Sequence, residues 1–349
     1  MRIPKFPGLT VAALALLAAA APVGAQAVID SPKGAIEVIG LRQWTVRMLE
    51  DSVAAKAPGE SLRSHACAAI LQGKLGFPAA AVSEESMQLA PDAEPTTTIL
   101  ITVVEPQDSA RVQLRRLDGR RGAAPWTWVA LEKAASDSTR LRINEVMFAM
   151  QFYGLYRAAP DSAAARVRRF VPRALPAAQA IWREVARLAG PGELMTAVRT
   201  TRSDTSWAHR VLAVSVLANF ATHDAAWHAL AAAMRDPDER VRNAAGMILG
   251  RLAEREPRRI DWRPAQADLR ALLGGTNLWE YRTLLDVLGR TQVAPALAET
   301  LLRDNTHLLL AHLEARAPQA HEPALAAARR LSGRPTMSRD EAVAWVAAF

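Results

Sequence analysis

One cysteine in 349 residues, Cys67, leaves the chain without an internal disulfide, so burial alone must hold its fold. Aromatic residues are also few, at 5%, and only five of the 43 basic residues are lysine. The formal charge of +8 comes mainly from arginines scattered among acids, without the clustered lysines and interleaved aromatics of a nucleic-acid footprint. Past residue 27 no uncharged stretch is long enough to span a bilayer, which argues against membrane insertion of the mature chain. Catalytic signatures are missing too: there is no GxSxG, no P-loop and no dinucleotide fingerprint. Among the seven histidines, the close pairs His223 with His228 and His307 with His312 are five apart, whereas one helix face ligates a metal at spacings of three or four. His321-Glu322 runs into Pro323 and is no zinc-protease helix. The chain is therefore expected to be non-catalytic, with no cofactor and no metal.

Half the residues are apolar and 22% are charged, the balance of a folded globular chain of about two domains. Residues 1–27 (MRIPKFPGLTVAALALLAAAAPVGAQA) combine a basic start, an apolar run, Pro22 and small residues, the pattern of a secretory signal peptide. The cut is expected after Ala25 or Ala27, and the mature protein in the periplasm or outside the cell. No cysteine follows the run to carry a lipid.

Residues 34–118 read as a small α/β module. Ile36 to Ile39 alternates and ends at Gly40, as a strand with one buried face does. Val46, Leu49 and Val53 recur at helical spacing after a capping Thr45, and Pro58-Gly59 stops that helix. A second helix from about Leu62 to Lys74 turns Cys67, Ile70 and Leu71 inward, which makes Cys67 a core residue. Strands follow at Ala80–Ser83 and Thr97–Glu105, the second dense in β-branched residues, and Arg111–Arg116 alternates like an edge strand with its charges in water. The order β-α-α-β-β, with IEVIG, APGESL, KLGF and VVEP in place, resembles a POTRA domain. That resemblance implies a periplasmic module that pairs its sheet edge with extended partner chains.

Residues 119–189 read as a helical joint. Trp126 and Trp128, two apart, would share one face of a short strand and pack on the neighbouring module. Leu141–Tyr156 reads as a buried helix, and Arg166, Arg168, Arg169 and Arg173 as a solvated basic face.

From residue 190 to 349 the chain repeats itself. Shifting Arg202–Phe220 by 32 residues onto Met234–Leu252 superposes Asp204 on Asp236, Arg210 on Arg242, Ala213 on Ala245 and Leu217 on Leu249. Looser copies lie at Leu272–Arg290 and Ala294–Arg316. In the helix after Pro237, a residue suited to a first helical turn, Val241, Ala244, Ala245, Ile248, Leu249 and Leu252 form an apolar stripe, with Glu239, Asn243 and Gly250 opposite. Trp207–Phe220 is apolar nearly all round and should be interior. Ser338 and Glu341 make a capping box for a closing helix.

The expected fold is therefore mainly α: a small N-terminal α/β module, then a C-terminal α-solenoid of helical pairs. Asp236-Pro237-Asp238 with Val241-Arg242, Ala244-Ala245 and Leu249-Gly250-Arg251-Leu252 resembles the second helix of a HEAT repeat. The resemblance implies a concave protein-binding face lined by second helices, and a repeat-linking role for Asp204, Arg210, Asp236 and Arg242. On that face the positions that burial does not need include Glu239 and Asn243, and, on a helix from Asn277 to Gly289, Arg282 and Asp286. These four are the candidate contacts to a protein partner. Otherwise they are ordinary solvated residues, Arg282 and Asp286 being spaced as a surface ion pair.

Overall fold

The computed structural model describes residues 26–31, 34–87, 96–117, 119, 125–137, 150 and 152–349. Residues 1–25 of the signal-like segment and most of 141–151 of the expected joint helix lie outside them. Four strands, β1 (Gln26–Ser31), β2 (Gly34–Ile39), β3 (Ala79–Met87) and β4 (Thr96–Val104), form one sheet in the order β1-β2-β4-β3. β2 and β4 run parallel, Ile36 beside Ile99 and Val38 beside Ile101; the two outer pairings are antiparallel. A parallel pair needs a long crossover, and helices α1 (Val46–Lys56) and α2 (Cys67–Leu75) supply it. Thr45 accepts from Met48 N to start α1, and Gly76, at φ +74°, ends α2 in a conformation only glycine adopts freely.

Both sheet faces are buried. Ile36, Val38, Ile99, Ile101 and Val103 pack on α1 and α2 with Cys67, Leu49 and Leu71. Ile39 and Leu100 on the other face meet Ala311, Ala315, Ala317 and Ala320, near the C-terminus. The one-faced strand read from Ile36–Ile39 is thus corrected. Glu37, the polar member of that alternation, is 1% exposed, because its carboxylate accepts from Arg316 N (2.5 Å) and Ala317 N (2.8 Å). Double-sided burial also explains why consecutive β4 residues, Ile99 to Ile101 and Val103 to Val104, are apolar.

Arg111–Arg116 is no edge strand. A 3₁₀ turn over Pro106–Arg111 leads into an irregular stretch lying across the helices. Gln113 N donates to Thr276 Oγ1 (3.0 Å), Arg115 N to Arg235 O (2.8 Å), and Arg235 Nε to Gln113 O (2.9 Å). The expected Trp126–Trp128 strand is a 3₁₀ turn entering α3 (Val129–Asp137). The two rings diverge: Trp128 is buried and donates to Glu193 Oε2 (2.6 Å), whereas Trp126 is 86% exposed.

The remaining helices are α4 (Tyr153–Ala158), α5 (Pro160–Phe170), α6 (Leu175–Arg187), α7 (Pro191–Ser203), α8 (Trp207–Leu217), α9 (Asp224–Ala233), α10 (Glu239–Arg255), α11 (Gln266–Leu273), α12 (Tyr281–Arg290), α13 (Pro295–Leu302), α14 (His307–Glu314), α15 (Pro318–Ser332) and α16 (Arg339–Ala347). On α5, Ala163, Ala164 and Val167 face inward and Arg166, Arg168 and Arg169 are exposed, the solvated face expected. From α7 onward the helices form two layers. In one, α7, α9, α11 and α13 lie side by side; in the other, α8, α10, α12 and α15 do. Each helix of a pair has one apolar stripe, and stacking buries it. On α10 that stripe is fully buried, as the spacing predicts, while α8 is buried from His209 through Leu217. The fourth unit departs from the pattern: α14 packs on β2, α15 and α16, and α15 takes its place in the layer. That exchange carries the small alanines of α14 and α15 onto the sheet.

Two local readings change. Pro237 stands before the helix rather than in its first turn, and Asp238 caps α10 by accepting from Arg240 N (3.0 Å). Gly250 does not face away from the core: a Cβ there would lie 2.6 Å from Thr283 Cγ2, so a bare backbone lets α12 approach α10.

Candidate interaction groove

The turn carboxylates and helix arginines set the spacing of the layers. Asp236, with a fully buried side chain, receives Arg210 Nε on Oδ2 (2.8 Å) and Arg210 Nη2 on Oδ1 (2.7 Å), a two-pronged bond from one helical pair to the next. Arg210 Nη1 also reaches Asp204 O (2.8 Å), and Arg242 Nη1 makes the matching bond to Asp236 O (2.7 Å). Asp204 and Asp236 each accept from the main-chain N–H two residues on. There the equivalence ends. Asp204 takes His209 Nδ1 (2.9 Å) in place of an arginine, and Arg242 bonds carbonyls of its own turn. The third residue past α11, where Asp236 stands past α9, is Thr276, so the equivalent position offers Arg242 no carboxylate. Arg210 and Asp236 are therefore brought together between successive helical pairs, while Asp204 and Arg242 act within their own turns. A second guanidinium also meets Asp236: Arg115 Nη2 donates to its Oδ2 and to Thr201 O, and burial holds Arg115 below the ordinary arginine value.

Along the layer of second helices, α10, α12 and α15 enclose a groove of about 650 Å³. Its charged lining is four carboxylates, Glu254, Glu280, Asp286 and Glu322, and two guanidiniums, Arg251 and Arg282. Trp279, 46% exposed, stands at one end, where the groove meets a smaller cavity of about 150 Å³ that holds Glu239 and Arg242. Three of the four candidate contact residues line these cavities: Glu239 the smaller one, and Arg282 and Asp286 the groove. Asn243 follows Glu239 one turn later on α10 and lines neither; its buried Oδ1 has no hydrogen-bond partner among the described residues. The surface pair expected between Arg282 and Asp286 does not form. Arg282 Nη2 donates instead to Glu85 Oε1 on β3 (2.9 Å) and Nη1 to Gln319 O (3.3 Å), and Asp286 accepts from Arg290 Nε (2.7 Å). Arg282 is thus a strut between sheet and helices. Reversing its charge would set a carboxylate against Glu85, so it does not serve as a silent surface probe.

Trp279 and Glu280 were not legible as site residues. The helix expected from Asn277 begins at Tyr281, and residues 277–280 form the turn before it, which is what projects Trp279 outward. Burial pushes the Glu280 carboxyl up to about 7, against the pull of the Thr283 hydroxyl and Arg282. Between the ordinary carboxylate value and about 7, the folded protein holds a proton that the unfolded chain has lost, so this group makes stability fall as pH rises through that window. His307 and His312, lowered by burial, act with the opposite sign. The readout is therefore the difference between parent and Glu280→Gln in urea titrations. The parent is expected to lose about 1–2 kcal/mol relative to the variant between about pH 5 and about pH 8. A pH-independent difference would refute the assignment.

No family model, curated protein or solved structure matches this chain. Among the described residues no group of three or more acidic, histidine or cysteine side chains could hold a metal, and no helix is long and apolar enough to cross a membrane. Cys67 is buried, and desolvation pushes its thiol up to about 11, far from the range of a reactive thiolate.

Proposed function

We propose that the protein is a non-catalytic, protein-binding scaffold exported to the cell envelope, and that its partner presents a basic segment to the groove of α10, α12 and α15. The observation carrying this reading is the charge contrast. A chain of formal charge +8 lines this concave surface with four acidic side chains against two guanidiniums, beside a half-exposed tryptophan. Such a surface attracts a lysine- or arginine-bearing chain. Export rests on the signal-like segment. A cut after Ala25 leaves β1 whole, from Gln26, whereas a cut after Ala27 removes two of its paired residues.

A second reading, an envelope secretion or assembly accessory working through the sheet edge, is favoured by the position of β3. It is one of the two outer strands of the sheet, and Gln72 Nε2 donates to Ala80 O near its start (3.0 Å). One experiment separates the two. The full chain is expressed in an envelope-bearing host with a photo-crosslinking residue at Asp286, at Glu84 on β3, or at Glu299 on the opposite layer. The exported material should have an intact mass beginning at Gln26, and a discrete cross-link should form from position 286 alone. Cross-links from position 84 alone would establish the sheet edge instead, and equal cross-linking from 286 and 299 would refute a specific groove.

A further inference from the structure

On the other layer, α7, α9 and the start of α11 enclose a pocket of about 280 Å³. The Arg115 side chain, 11% exposed, lines it with its three nitrogens in different settings. Nη2 is spent on Asp236 and Thr201 O, and Nε is enclosed and unbonded; Nη1, also without a partner among the described residues, is open to solvent. Arg202 lines the same pocket, and its exposed guanidinium has no hydrogen bond or ion pair among the described residues. Among those residues Asp268 is the one carboxylate of the lining, and it already accepts from Arg235 Nη1 (2.6 Å). On the lining and the side chains joined to it through ion pairs, four guanidiniums, of Arg115, Arg202, Arg210 and Arg235, therefore stand against two carboxylates, of Asp236 and Asp268. Buried charge without full compensation is costly: desolvation, with Arg210 beside it, holds Arg115 below the ordinary arginine value in spite of Asp236.

An anion at Nη1 supplies the missing charge through a charge-assisted hydrogen bond, and the long side chain of Arg202 is free to close on it. Much of the remaining wall is small and apolar, from Val198 on α7, Ala225, Ala229 and Ala232 on α9, and Pro264. His228 completes it, held by Nε2 against Asp261 O (2.7 Å). We propose that this pocket binds an organic carboxylate with a small apolar body, its carboxylate on Arg115 Nη1 and Arg202 and its body on the alanines of α9. The volume, at the low end of ligand pockets, suits a body the size of a single ring. An inorganic anion would satisfy the guanidiniums but leave the apolar wall uncovered. Such a carboxylate belongs either to a free acid or to the last residue of a polypeptide. The pocket lies on the layer opposite the acidic groove and does not depend on how that groove is read.

The test is a titration of the ¹⁵N-labelled full chain with 3-phenylpropionate, with its neutral amide and with inorganic phosphate. The acid should shift the Arg115 Nε and Ala229 amide resonances saturably, and the amide and phosphate should not. Arg115→Met should weaken binding at least about tenfold, the worth of a hydrogen bond to a charged group. Arg202→Glu, at an exposed position, should weaken it similarly and decides the matter if Arg115→Met fails to fold. Acetyl-Ala-Phe with a free C-terminus presents the same acid as a chain end: tighter binding than 3-phenylpropionate identifies the ligand as a polypeptide terminus, weaker binding as a free acid. No saturable shift at tens of millimolar acid would overturn the proposal. So would an equal response to the amide or to phosphate, or unchanged affinity in the folded variants.

Discussion

Asp236→Ala is expected to cost about 3–5 kcal/mol of unfolding free energy in a urea titration, the largest single-site loss in the helical layers. The native carboxylate has no solvent exposure and is met by two guanidiniums, Arg210 on α8 and Arg115 on the stretch that follows the sheet. Removing it leaves two buried positive charges facing each other, which is far worse than the loss of a surface ion pair. The double variant Asp236→Ala/Arg210→Met should recover part of the loss, because one of the stranded charges goes with it. The same carboxylate ties residues 112–117 to the array through Arg115, so amide exchange in that stretch should rise in Asp236→Ala. A loss under about 1 kcal/mol would mean that water reaches the site and that Asp236 does not organise the repeat boundary.

What the sequence made legible was periodic or local. The apolar stripe of α10, the Thr45 and Ser338 caps and the strand-helix-helix-strand-strand succession from β2 to β4 reside in local patterns, and each is observed. β1 escaped notice because Gln26–Ser31 directly follows the signal-like run and gains its pairing only from β2. The misreadings share another cause, which is that burial was decided by segments far away in the chain. Glu37 alternates like a solvent-facing residue, and it is buried because the N-terminus of α15, some 280 positions later, donates two N–H groups to it. Arg111–Arg116 alternates like a strand, yet its hydrogen bonds go to the turns after α9 and α11 and, through the Arg115 side chain, to Thr201 on α7. Of the four residues chosen for their helical face, Arg282 and Asp286 line the groove, Glu239 lines the smaller cavity and Asn243 lines neither. The placement of Trp279 and Glu280 depends on a turn whose geometry is tertiary.

The sheet and the helical layers are joined at Glu37, and the consequence is measurable. Glu37→Ala is expected to cost about 2–4 kcal/mol, from two charge-assisted hydrogen bonds lost and two main-chain N–H groups left buried at the start of α15. Its charge also opposes the positive end of that helix, so Glu37→Gln, which keeps an acceptor and loses the charge, should fall between parent and Glu37→Ala. Asp30 is the control. It bonds the side chain of the same Arg316 at 2.9 Å, but both partners are about two-thirds exposed, so Asp30→Ala should cost less than about 1 kcal/mol. If the two substitutions cost the same, the junction is held by the apolar contacts of Ile39 and Leu100 with the alanines of α14 and α15, and the buried carboxylate adds nothing. If Glu37→Ala alone is costly, it should also loosen the groove. Arg282 bridges α12 to Glu85 on the same sheet, and a sheet that shifts on the array moves that strut and the groove wall with it. The measurable sign is a weaker cross-link from position 286 in Glu37→Ala than in the parent, at a temperature where both are folded.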